Sequence, residues 1–139
     1  MIKYILKSAA RLGACDKIDN VGDWKQLYSL FFSPQGREFC ARHNFPTIEA
    51  FRKMKPHLKD GINVFVDAGV MTRENEHNIA LVGDTVAHLT YNDNTKVHKV
   101  ILMHGAMASI EASNYAVIHI VNICNCPISI HKDATVRIL

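Results

Sequence analysis

The sequence predicts an α+β fold in which a helical head of about four short helices, residues 1–60, packs with a β-rich tail, residues 61–139, as one compact unit. Three observations carry this prediction. Apolar residues recur at helical spacing before Gly61, short β-branched runs between turn formers replace them after it, and the runs of the tail align with one another at an offset of 21 residues.

In the head, Ile2, Ile5, Leu6, Ala9 and Leu12 define one face of a first helix that stops near Gly13, with Lys3, Lys7 and Arg11 on the other face. Asp23 is the expected N-cap of a second helix from Trp24 to Phe32, whose stripe is Trp24, Leu27, Tyr28 and Phe31. Ser33-Pro34 starts a third helix, because the serine oxygen accepts from a free amide and proline tolerates the first helical turn. Asn44 ends that helix in a left-handed conformation, Thr47 caps a fourth containing Ile48, Phe51 and Met54, and Pro56 closes it. The aromatic residues of these helices form the head's expected core.

In the tail, the expected strands are 62–66, 79–82, 86–91, 97–103, 107–112, 116–123, 128–131 and 134–138. Val86–Tyr91 aligns with Met107–Ala112 at an offset of 21, and the same shift carries Val97–Met103 onto Ile118–Cys124 and Met107 onto Ile128. Repetition of this kind favours a short β-solenoid over an antiparallel meander or sandwich, with small residues such as Ala87, Ala108 and Ala112 in a narrow interior. The segments Gly83-Asp84-Thr85-Val86-Ala87-His88-Leu89 and His104-Gly105-Ala106-Met107-Ala108-Ser109-Ile110 resemble the short β-helical domains of polymer-forming cytoskeletal proteins and of phage tail or spike proteins. That resemblance covers about residues 79–139 and implies a structural, self-assembling role of bacterial or phage type.

The 139 residues are 48% apolar and 21% charged, enough for a cored domain that needs neither disulfides nor a structural metal. Cys15, Cys40, Cys124 and Cys126 fit no framework spacing, which points to a reducing, cytoplasmic setting. Leu12-Gly13-Ala14-Cys15 has the form of a lipoprotein cleavage box, but Lys7 and Arg11 interrupt the apolar stretch it requires. No run approaches the ~20 apolar residues of a membrane span, so no membrane partner is expected.

The net charge of +3 is unevenly divided. Residues 1–60 hold eleven Lys or Arg against six Asp or Glu, and residues 61–139 hold five against seven, so an anionic partner would meet the head. Arg37, Arg42, Arg52, Lys53, Lys55 and Lys59 are the residues that would contact nucleic acid or an acidic protein there. Six of the eight histidines lie in the tail, and an offset of 21 would stack His98 on His119, with Cys124 and Cys126 as the nearest thiols for a metal. The bland alternative is a set of exposed strand histidines.

Asp67-Ala68-Gly69, with Glu74 and Glu76 following, is the nearest approach to an acidic active-site loop. There is no nucleophile elbow, His-Glu-x-x-His or phosphate loop, so the expectation is a non-enzymatic protein without a cofactor. The leading functional expectation is an interaction or assembly protein that forms a homo-oligomer. Its interface would be the strip of Val117, His119 and Val121 or the apolar end carrying Ile138 and Leu139. A nucleic-acid-binding accessory protein is the second expectation and a histidine-based metal protein the third.

Overall fold

The computed structural model describes residues 1–14, 16–59 and 61–139. Cys15, the last residue of the lipoprotein-like box, lies outside them. The chain forms two compact units, Met1–Ile62 and Asn63–Leu139.

The helical unit contains α1 (Ile2–Arg11), α2 (Trp24–Phe32), α3 (Pro34–His43) and α4 (Ile48–Met54), with 3-10 turns at Asp16–Asn20 and Lys55–His57. The caps act as their chemistry requires. The Asp23, Ser33 and Thr47 side chains accept from the amides of Gln26, Gly36 and Ala50, and Asn44 closes α3 at φ 48°. Ser33 serves two helices, since its hydroxyl also donates to the Leu30 carbonyl at 2.6 Å. Tyr28, Phe31, Phe32, Phe45 and Phe51 are buried. Phe31 meets Tyr28 and Phe51 edge-on, with centroids at 5.8 and 6.4 Å.

The second unit is a parallel β-solenoid of four coils and the start of a fifth. Its strands are β1 (Val64–Val66), β2 (Gly69–Glu74), β3 (Asn78–Val82), β4 (Thr85–Tyr91), β5 (Val97–Met103), β6 (Met107–Ala112), β7 (Val117–Asn122), β8 (Ile128–Lys132) and β9 (Arg137–Ile138). Odd-numbered strands build one sheet and even-numbered strands from β2 to β8 the other, every pair parallel. Between the sheets, Ile79, Leu81, Val100, Leu102 and Ile118 face Ala87, Leu89, Ala108, Ile110 and Ala112 in one buried core. Alanines on one wall opposite large aliphatics on the other set the narrow bore.

Corners on one side are stitched by asparagine. Asn75, at φ 52°, accepts from the amides of Asn92 and Asp93 at 2.8 and 3.2 Å and donates to Asn92 Oδ1 at 2.7 Å, while Asn114, at φ 54°, donates to the Asn92 carbonyl at 3.0 Å. Asparagine suits both tasks, because it tolerates the left-handed region and its amide replaces missing backbone bonds.

Two expectations are corrected. Residues 69–74, which the expected strands leave out between 62–66 and 79–82, form strand β2. The repeat is also not constant: β4 pairs β6 at 21 (Val86↔Met107), whereas β5 pairs β7 (Val97↔Val117) and β6 pairs β8 (Ala108↔Ile128) at 20. The cause lies in the corners, since the chain crosses from 91 to 97 after β4 but from 112 to 117 after β6, one residue fewer between paired positions.

Candidate functional site

The shorter corner dismantles the predicted histidine pair. His98 pairs with Ile118 and His119 with Lys99, and a one-residue slip exchanges the two faces of a strand. His98 therefore points inward and is fully buried, with Nδ1 3.2 Å from the Glu76 carbonyl and Nε2 3.1 Å from the Asp93 carbonyl. Its ring lies 4.7 Å from that of Tyr91. Both nitrogens are thus engaged by backbone, and His119 stands half-buried on the opposite face.

Cys126 is buried, its thiol 3.4 Å from the Ile123 carbonyl, while Cys124 is exposed at a corner with φ 65°. Among the described residues no group of three or more His, Cys, Asp or Glu is arranged to hold a metal ion.

The basic residues of the helical unit do not form one exposed set. Arg37 is buried, its Nη1 without a hydrogen-bond partner among the described residues, and burial lowers its guanidinium from the ordinary value. Arg42 is exposed and pairs with Glu38 at 2.9 Å. Arg52, Lys53, Lys55 and Lys59 are exposed along α4 and the chain that follows it.

Of the predicted interface residues, Val117, His119 and Val121 share the outer face of the odd sheet and are each half-buried. Ile138 points inward and is half-buried, and Leu139 is exposed.

The most open apolar feature of the solenoid is on the other sheet. Val70, Val86 and Met107 stand in register on consecutive rungs, pointing outward. Val70 is 76% and Met107 44% exposed. Pro127, also exposed, extends the column, its carbonyl accepting from the Ala108 amide at 3.2 Å. A second column follows along the strands, Thr72, His88, Ser109 and Ser129, and then a third, Glu74, Thr90, Glu111 and His131. Columns repeat at the strand spacing of ~4.8 Å and adjacent columns lie two residues apart.

His88 and Ser109 are register neighbours, yet no hydrogen bond joins them among the described residues, and a nucleophile needs its base within bonding reach.

The fold defines the class: a helical unit followed by a parallel β-solenoid. No family model, curated protein or solved structure matches the chain. No helix among the described residues is long and apolar enough to cross a membrane.

Proposed function

We propose that this protein is a non-enzymatic assembly component that self-associates through the outer face of its even sheet. The observation that carries the reading is the outward column Val70, Val86, Met107 and Pro127, in which Val86 is half-buried and the other three are exposed, since a contiguous apolar strip on a sheet face marks an interaction surface.

A second copy of the chain is the occupant that the pattern fits. A twofold axis along the strands, between β4 and β6, reverses the order of the rungs and keeps the columns in place. It sets Val86 against Met107 of the second copy, Val70 against its Pro127, Glu74 against its His131 and Thr90 against its Glu111. Apolar meets apolar and no glutamate faces a glutamate, so the face is self-complementary, as an isologous interface requires.

Four strands at ~4.8 Å by about six residues at ~3.3 Å give roughly 400 Å² per copy, which puts the association in the weak, reversible class.

Light scattering on the full chain across a concentration series tests this. The expected mass rises from 15.6 kDa toward twice that value at high micromolar concentration, with little dependence on salt. Met107→Glu is expected to hold the chain at the monomer mass. A monomer at every concentration up to millimolar would sink the proposal. Nucleic acid that co-elutes at low salt and leaves at high salt would move the function to the basic helices.

A further inference from the structure

The helical unit carries a half-open apolar pocket of about 300 Å³. Its wall is formed by Ile5 and Ala9 of α1, Tyr28 and Phe31 of α2, and Phe39 and Cys40 of α3. A concave, mostly apolar pocket of this size falls at the lower end of the ~300–1,000 Å³ range of small-molecule sites.

Chemistry narrows the occupant. The inner wall carries no charged group, and burial holds the Tyr28 phenol protonated and pushes the Cys40 thiol up to about 12, so both remain neutral. At the mouth, Glu38 and Arg42 neutralise each other at 2.9 Å, which leaves no net charge to attract an anion or a cation. The Tyr28 hydroxyl donates to Met54 Sδ at 3.2 Å, and its oxygen accepts from no group among the described residues. One wall can yield, because within α1 only Ile5 and Ala9 are buried.

We propose that this pocket binds a neutral alkyl compound of about ten carbons, with one hydroxyl-type head that donates to the Tyr28 oxygen. The site lies within the helical unit and gives it a small-molecule input.

The probe is 1-decanol, added below its solubility limit to full-length protein with methyl-labelled isoleucine, and followed by NMR. The expected result is a saturable shift of the Ile5 methyl resonance with a rise in Tm, and binding of decanoate at pH 8 at least tenfold weaker. Ala9→Phe, which fills the space, is expected to abolish the response, and Ala10→Phe on the exposed side of the same helix to retain it. Should Ala9→Phe fail to fold, Cys40→Leu fills the opposite wall and is expected to weaken binding at least tenfold. Absence of a saturable Ile5 shift, a response unchanged in the filled variant, or equal binding of decanoate would each overturn the proposal.

Discussion

Asp93 and Asp133 cap two corners of the solenoid in the same way: each carboxylate accepts from the hydroxyl and the amide of the threonine two residues on, Thr95 and Thr135. These hydroxyl bonds, followed by the amide bonds, hold both carboxyls below the ordinary aspartate range. Each group therefore titrates lower in the folded chain than in the unfolded one, near 3.9. The stability it contributes is complete above that value and is lost as pH falls through the folded value. Replacing both residues with asparagine is expected to lower the urea midpoint at pH 7, and the difference from wild type to shrink progressively as pH falls below about 4. A difference that does not shrink would show that the carboxylate charge plays no part.

Gly36→Ala is expected to disrupt the α2–α3 junction. A Cβ at Gly36 would lie 1.9 Å from the Leu30 carbonyl oxygen and 2.9 Å from its carbon, and backbone cannot swing aside as a side chain can. The cost falls at or above the upper end of the ~1–3 kcal/mol typical of overpacking. Urea unfolding followed by far-UV circular dichroism measures it, and a loss below 1 kcal/mol would mean that the two helices meet less closely.

His98→Leu is expected to destabilise the solenoid by about 1–3 kcal/mol, because a buried carbonyl, that of Glu76 or Asp93, loses its donor. The same engagement makes the ring a poor metal ligand. Zinc at a few equivalents is expected to leave Tm unchanged in wild-type protein. A rise with zinc that vanished in His98→Leu would restore the metal reading.

Ile110 and Ile130 are paired and both point into the bore, but Ile110 is fully buried while Ile130 is 36% exposed on the last even strand. Ile110→Ala is expected to cost about 2–5 kcal/mol and Ile130→Ala distinctly less. Equal losses in denaturant titrations would mean that the register between β6 and β8 differs from the one described.

Much of this molecule is legible from local chemistry. Asp23, Ser33, Asn44 and Thr47 announce the ends of their helices through the hydrogen bonds they make, and α2 runs from Trp24 to Phe32 as its capping residue and stripe predict. Strand β2 is not legible in the same way, because its inward positions are Gly69, Met71 and Arg73. Arg73 pairs with the buried Leu89 yet carries its guanidinium over the Phe65 ring at 5.0 Å, so a charged residue occupies a core-facing register. Without β2, Val70 has no place in a column, and the outward strip of Val70, Val86 and Met107 stays hidden. The position of His98 depends on a one-residue difference between two corners, which no periodicity within a single strand reveals. The pocket is a property of how three helices meet, and the spacing of apolar residues shows only that they do.

Every bridge in both sheets joins residues 16 to 21 positions apart. Among the described residues no hairpin joins two strands, so the chain must close a whole coil before its first ladder bond repays the lost entropy. Once one coil stands, it templates the next, and growth proceeds rung by rung as in a one-dimensional crystal. The solenoid should thus be slow to begin folding and quick to finish.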